Sequence, residues 1–355
     1  MPFKMDLMSQ QSKKFDPAFD QKSVVFRFQN NLAQNFLFKK SPRILIACSG
    51  GADSVALFHL VRLSRPDLKV AVIHFNHGIR AKTAKRDELF VRKLALKYKV
   101  PFFVGRAQLS KKSNRNKLSL EEAARAKRYE FFKKIYKQWR GNAVFFAHHM
   151  DDQAETVMMR VCQGTGLRGL LGIREDMDIN GMRVVRPMLP FLKQEILSFL
   201  KENHFLFCQD ETNQCVDYLR NCIRLEVLPF LKKKVNPRLI EALARMPQIM
   251  RTENNLIEEL EKKAAAIVVK STSSSRVVLK ANVFRSLHPA LQFRILDGCL
   301  KKIDPDSGML FEHMAILRNQ LRKSKIRISL PRKLEIGGNL IQIFIQRNPE
   351  RDFRK

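Results

Sequence analysis

A short apolar run that breaks into a glycine-rich loop and then a helix constrains this chain more than any other feature. Arg43-Ile44-Leu45-Ile46-Ala47-Cys48 reads as a strand buried on both faces. It ends in Ser49-Gly50-Gly51-Ala52-Asp53-Ser54, and Val55 to Val61 continue as a helix. Two glycines let the backbone approach a phosphate and adopt positive φ, and the N–H groups at the helix start then cradle an anion. Lacking GK[ST] and GxGxxG, the loop is neither a Walker loop nor a dinucleotide fingerprint.

The same alternation recurs. Val70–Phe75, Pro101–Val104 and Ala143–Ala147 read as strands, and 87–98, 121–139 and 152–162 as helices. Strand alternating with helix predicts a doubly wound parallel sheet with helices on both faces. Ligands then bind off the carboxyl ends of the strands, which singles out the loops after Cys48, Phe75 and Ala147. Beyond about residue 232 the pattern becomes mainly helical. A long helix is expected to about Val269 with a kink at Pro247, then a short strand at 277–279 and helices near 288–302 and 308–323. Ile326 to Ile345 alternates like a hairpin around Gly337-Gly338. The expected segments are a flexible lead-in at 1–22, a catalytic domain at 23–232, a smaller helical domain at 233–325 and a β-hairpin tail at 326–355.

Charge directs this framework towards a class of partner. The 355 residues carry 66 Lys and Arg against 34 Asp and Glu, a net +32. A folded domain so basic is expected to meet a polyanion, nucleic acid above all, the bland alternative being a species-wide bias towards basic residues. Six cysteines without a CxxC pair suit a reduced compartment. The even spacing of Cys208, Cys215 and Cys222 falls in a loop-like stretch and is read as coincidence, not a metal site. The N-terminus has no signal core and no apolar run is long enough to span a bilayer, so a cytoplasmic protein without membrane contact is expected.

Three further strings carry chemistry. In His148-His149-Met150-Asp151-Asp152-Gln153-Ala154-Glu155-Thr156, which follows a strand, either aspartate could cap the coming helix or hold Mg²⁺ beside a triphosphate. Its two histidines could bond phosphate or base, while zinc is disfavoured for want of HExxH spacing. Gly164-Thr165-Gly166, opening a run of four glycines in nine residues, is either a helix C-cap or a loop closing on substrate. Arg220 and Arg224 could neutralise charge on a transferred adenylyl group or grip RNA phosphates.

The SGGxDS form of Ser49–Ser54 resembles the pyrophosphate loop of the ATP pyrophosphatase (PP-loop) superfamily. That likeness implies an adenine nucleotide α-hydrolase-like fold and cleavage of ATP between its α and β phosphates. Later elements narrow it: His77-Gly78-Ile79-Arg80, the helix Glu121–Tyr129, His148–Thr156, Gly164–Gly172, Arg186-Pro187-Met188-Leu189 and Asp210–Arg224. In this order, from about residue 43 to 224, they resemble the tRNA(Ile)-lysidine synthetase family. The resemblance implies an ATP-dependent carbon–nitrogen ligase. The wobble cytidine of the CAU-anticodon isoleucine tRNA would attack ATP through its C2 carbonyl oxygen, releasing pyrophosphate. The ε-amine of free lysine would then displace AMP, so that the tRNA reads AUA and is charged with isoleucine.

On the same basis ATP is expected on Ser49, Gly50, Gly51, Ala52, Asp53 and Ser54. Mg²⁺ is expected on Asp53 with Asp151 or Asp152, Asp152 being the assignment made here. Arg220 is favoured over Arg224 as the catalytic arginine. His148, His149, Arg80, Gly164, Thr165, Gly166 and Arg224 are candidate ATP or substrate contacts. The partners implied are that tRNA, gripped in part by 233–325, and free lysine, with a homodimer allowed. Only about 120 residues follow the catalytic part, fewer than the two C-terminal domains of longer members need. The rivals are a tRNA thiolase of the superfamily, which usually wants paired or cluster-binding cysteines, an amide-forming NAD or GMP synthetase, which gives no reason for +32, and a non-catalytic RNA-binding protein, which would not need Asp53, Asp151 and Asp152.

Overall fold

A computed structural model describes residues 23–35, 42–76, 81–106, 120–209, 219–309 and 311–347. The chain divides into two compact units, Met1–Pro247 and Gln248–Lys355.

The first unit is organised by β1 (Arg43–Ala47), whose Ile44, Leu45 and Ile46 are wholly buried. After α1 (Val24–Asn35) and β1 the chain runs α2 (Ala52–Ser64), β2 (Lys69–Asn76), α3 (Ala81–Lys97), β3 (Phe102–Arg106), α4 (Leu120–Gln138), β4 (Ala143–Phe145) and α5 (Met150–Cys162). It continues through α6 (Leu167–Leu170), β5 (Asp176–Ile179), β6 (Met182–Val185) and α7 (Lys193–Glu202). The unit closes with α8 (Leu219–Cys222), a π-helical turn (Ile223–Val227) and α9 (Leu228–Lys234).

The sheet order is β3-β2-β1-β4-β6-β5, parallel except for the antiparallel β5–β6 pair. Ile44 lies in register with Val70 of β2 on one side and Ala143 of β4 on the other. One core layer packs α2 and α7 against the sheet through Phe58, Leu60, Phe191 and Phe199. The other packs α4 against it through Phe132 and Ile135. Apolar runs expected as strands are strands, and the helices between them are present. The β5–β6 hairpin is an addition: at four residues per strand, with Asp176 and Asp178 on one of them, it carries no apolar run.

The second unit is smaller. It takes in most of α10 (Leu239–Val268) and then β7 (Val269–Thr272), β8 (Arg276–Lys280), α11 (Ala281–Ser286), α12 (Pro289–Ile303), α13 (Phe311–Leu321), β9 (Ile326–Leu330), β10 (Leu334–Gly338) and β11 (Gln342–Arg347). The helix α10 runs through Pro247. The terminal strands do not form a separate hairpin, because β11 pairs with β8 to give an antiparallel sheet of order β7-β8-β11-β10-β9. Nor do Gly337 and Gly338 make its turn; they sit inside β10. A Cβ on Gly337 would lie 2.4 Å from the Phe344 ring across the ladder, and one on Gly338 would lie 2.4 Å from the Gln342 carbonyl oxygen. The glycines make room for a neighbouring strand, and the β9–β10 turn uses Arg332 and Lys333 at φ 62° and 57°.

Inside the first core His59 stacks on Phe205 with centroids 3.6 Å apart and meets Tyr98 edge-on. Burial, then the charges of Lys97 and Arg62, push its pKa from 6.5 down to about 3. The unfolded chain therefore takes up a proton that the folded chain refuses, so stability rises with pH across this window. The share due to His59 is complete above about pH 6.5 and falls away towards pH 3. Urea unfolding of His59→Phe should lose less stability than the parent between about pH 7.5 and 5; equal losses would refute the burial argument.

Candidate active site

The loop Ser49–Ser54 leaves the C-terminal end of β1, and His148–Asp152 leaves the C-terminal end of β4, the adjacent strand. The chain crosses from β1 to β2 on one side while β4 lies on the other, so the order reverses here and a crevice opens between the two loops. Gly50 adopts φ 99°, a conformation that disfavours any side chain. The loop is closed around one hydroxyl. Ser54 Oγ accepts from the N–H groups of Ser49 (3.1 Å) and Gly50 (3.2 Å) and donates to the Gly51 carbonyl (3.0 Å). The amides thus converge on an oxygen, the arrangement an anion nest requires. His74 Nδ1, 2.8 Å from the Cys48 carbonyl, and the Cys48 N–H, 3.0 Å from the Ile73 carbonyl, tie the loop to β2.

The starts of α2, α5 and α7 meet at the crevice and bring five charged side chains together. Asp53 forms an ion pair with the Lys193 ammonium. Asp151 Oδ2 accepts from the Lys193 backbone N–H at 2.7 Å, fixing the start of α7 against that of α5. His149, 4% exposed, lies 3.5–3.6 Å from Asp53, Asp151 and Asp152. Burial alone would depress its pKa, but contact with Asp151 and Asp53 and the charges of Asp152 and Asp53 raise it to about 9. Burial would likewise raise Asp53, yet His149 and Lys193 hold it at about 2. At neutral pH the cluster therefore sets a protonated imidazole beside ionised Asp53 and Asp151.

The two adjacent aspartates differ. Asp152 is buried, its Oδ2 accepting the His149 N–H at 3.0 Å and its Oδ1 receiving Arg220 at 3.0 Å and Arg224 at 3.4 Å. It is the helix-capping carboxylate of α5. Asp53 and Asp151 keep side-chain exposures of 33% and 29% towards the crevice. Glu155, one turn further along α5 and 3% exposed, holds Arg220 at 3.0 Å and Arg224 at 2.5 and 2.9 Å. Both arginines project from α8 and the π-helical turn, so neither is singled out by its partners.

Beside the loop lies a cavity of about 250 Å³, walled by Phe75, Phe132 and Phe146 and edged by Asp53, Arg128 and His148. His148 Nδ1 and Arg128 Nε are buried there without a hydrogen-bond partner, as is Arg186 Nε. Burial, then the charges of Arg186, Arg220 and Arg128, bring His148 to about 4 against the pull of Asp152, so it is neutral. An aromatic slot with unmet polar atoms beside an anion nest suits a purine nucleotide.

The structure thus brings together Ser49–Ser54, His148, His149, Asp151, Asp152, Arg220 and Arg224. Gly164, Thr165 and Gly166 follow the far end of α5, a 13-residue helix about 20 Å long, and lie away from the carboxylates at its start. Gly164 (φ 65°) takes the left-handed conformation just after the helix, as the capping reading expected. The run returns to α5 at Gly172, where a Cβ would lie 2.5 Å from Gln153 Oε1, and Gln153 clamps the next residue, Ile173, through bonds of 2.6 and 3.1 Å. Arg80, Asp210–Asn213 and Cys215 lie outside the described residues. Among those described, no group of three His, Cys, Asp or Glu could hold a metal unaided, and no helix is long and apolar enough to cross a membrane. Sequence reading missed Lys193 and the pairing of Glu155. Nothing in spacing signals a lysine 140 residues from its partner; Glu155 stood inside a recognised string without a role.

A family model described as the PP-loop domain matches residues 22–231. The tRNA(Ile)-lysidine synthase of Geobacter sulfurreducens is 33% identical over 319 residues, covering 89% of this chain and 67% of the relative. That of Petrotoga mobilis is 38% identical, covering 60% and 68%. That of Clostridioides difficile is 33% identical, covering 84% and 65%. The chain spans 50% to 65% of the length of the Clostridioides difficile, Clostridium acetobutylicum and Clostridium perfringens enzymes. Among solved structures, the U34-tRNA thiolase NcsA of Methanococcus maripaludis has the same fold, with a TM-score of 0.53 at 15% identity over 64% of this chain and 78% of that one.

Removing the buried Glu155 carboxylate would leave the two guanidiniums to share the Asp152 carboxylate alone. Glu155→Leu should cost about 2 kcal/mol in urea unfolding, moderated because Arg220 and Arg224 are 43% and 35% exposed. A neutral result would show that the pairs contribute nothing to the fold.

Proposed function

Because the chain belongs to the PP-loop family, and within it to the tRNA(Ile)-lysidine synthase family, we propose that it joins lysine to a tRNA cytidine at the cost of ATP. The observation that carries this reading is the crevice itself. It holds an anion nest, a nucleotide-sized aromatic slot and a belt of fixed charges within reach of one another.

In this reading the Ser49, Gly50 and Ser54 groups bind the phosphates of ATP and the Phe75–Phe146 slot takes its base. The C2 carbonyl oxygen of the wobble cytidine in the CAU-anticodon isoleucine tRNA attacks the α-phosphorus, and the bond to pyrophosphate breaks. The neutral ε-amine of lysine then adds at C2, the C–O bond breaks, AMP leaves and the new nitrogen sheds a proton. Arg220 and Arg224 border the site and balance negative charge that grows during each displacement. Lys193 supplies a further cation that can turn from Asp53 towards the triphosphate. The chain's excess of basic residues draws the tRNA.

Mg²⁺ accompanying the nucleotide fits Asp53 with Asp151, because both carboxylates are open to the crevice whereas the oxygens of Asp152 are taken by His149, Arg220 and Arg224. Two carboxylates suffice for an ion otherwise ligated by phosphate and water, and it would neutralise the phosphate charge. The assignment thus moves from Asp152 to Asp151. A sulfur-delivering role is disfavoured, since the thiolase of like fold carries an iron–sulfur cluster and this chain has no CxxC pair.

Purified protein incubated with the CAU-anticodon tRNA, ATP, Mg²⁺ and lysine should give a lysine adduct of cytidine in the mass spectrum of the digested tRNA. Sulfur incorporation, or unmodified cytidine, would overturn the reading. Asp53→Asn should abolish pyrophosphate release while gel-shift binding of tRNA survives; normal turnover would remove Asp53 from the site.

A further inference from the structure

The sheet of the second unit has an outer face that none of this chemistry uses. Ile326 and Ile328 of β9, Ile336 of β10 and Ile343 and Ile345 of β11 are buried, in one core with Phe284 of α11, Leu296 of α12 and Leu317 of α13. The residues between them on each strand point the other way. Pairing aligns these into a row across the sheet: Ser271 of β7, Val278 of β8, Phe344 of β11, Gly337 of β10 and Arg327 of β9. With strands about 4.8 Å apart the row is roughly 19 Å wide, and Phe344 stands at its middle.

The Phe344 ring lies over Gly337, where a Cβ would come within 2.4 Å of it, and stays partly exposed. The Arg276 guanidinium stands over the ring, 4.6 Å from its centroid. Arg276 and Lys280 lie on β8 on either side of Val278, and Arg327 lies on the opposite side of the ring; all three are exposed. Among the described residues of these strands the one outward carboxylate is Glu335, and Gln346 donates to it at 2.7 Å. The face is therefore an aromatic ring laid flat at the centre of a sheet, with cations around it.

That combination matches one kind of ligand. Every nucleobase has a π-face to set on a ring or a guanidinium, and the phosphates on either side of it are drawn to flanking cations. A lipid surface or a protein partner would need a broad apolar patch, and this face offers a single ring with Val278 beside it. A duplex keeps its bases stacked inside and could meet only the cations. We propose that the outer face of this sheet binds an unpaired stretch of RNA, with one base stacked on Phe344 and Arg276 and the backbone held by Lys280 and Arg327. The inference does not rest on the ligase reading, since a chain that bound RNA without modifying it would use the face in the same way.

Binding of a short labelled oligouridylate to the full chain, followed by anisotropy near 0.1 M salt, tests this. Phe344→Leu keeps an apolar side chain over Gly337 and should weaken binding ~10-fold. Lys280→Gln and Arg327→Gln, at exposed positions, should leave the melting temperature unchanged and each flatten the dependence of affinity on salt by about one phosphate contact. Ultraviolet irradiation of the complex should attach uridine to Phe344, located by mass spectrometry of the digested protein, a mark that a purely structural ring would not acquire. A duplex of the same length should bind more weakly and be indifferent to Phe344→Leu. Unchanged binding of the single strand by Phe344→Leu, crosslinks confined to the first unit, or equal loss of single strand and duplex would each overturn the proposal. Failure of lysine transfer would leave it standing.

Discussion

Everything in the first unit hangs on β1, hydrogen-bonded on both edges and covered on both faces. A strand so placed must be apolar where it is buried, at Ile44, Leu45 and Ile46, and its backbone polar groups must be met by β2 and β4. Because the sheet grows outward from it in both directions, the two loops leaving the C-terminal ends of β1 and β4 cannot be covered by the same crossover. The crevice is a consequence of strand order, and the chemistry-bearing strings are placed there by topology.

Three helix starts then converge on that crevice, and electrostatics governs what they carry. Carboxylates favour helix N-termini, where the macrodipole is positive. Asp53, Asp151 and Asp152 all sit in such first turns. Together they would repel one another, and His149 and Lys193 resolve the conflict from within. One carboxylate, Asp152, is fully spent on capping and on arginines, which frees its neighbour Asp151 to face the crevice. Adjacent residues of identical chemistry thus have separate tasks, set by about 100° of helix rotation.

The core strands were legible because a buried parallel strand writes itself as an unbroken apolar run. The β5–β6 hairpin was not, since its strands are short and partly charged. Gly337-Gly338 misled because glycine was read as a turn marker, whereas the structure uses its missing side chain as space for Phe344. In the site, contiguous strings such as Ser49–Ser54 and His148–Glu155 were visible because neighbours in sequence share a loop. Lys193 was not, because its meeting with Asp53 exists only once β6 and α7 have been laid beside α2. Asp151 and Asp152 could not be told apart by sequence, because what separates them is which way each side chain leaves the first turn of α5.

The Ser54 hydroxyl at the centre of the amide nest has a thermodynamic consequence. The loop amides already point inward and are already bonded, so the ATP phosphate proposed to bind here would exchange one acceptor for another. The ordering entropy of the loop is met during folding and not at the moment of encounter, which spares the complex a cost that flexible phosphate loops bear. A loop of this kind responds to its ligand as a solvent substitute, with little movement of its backbone.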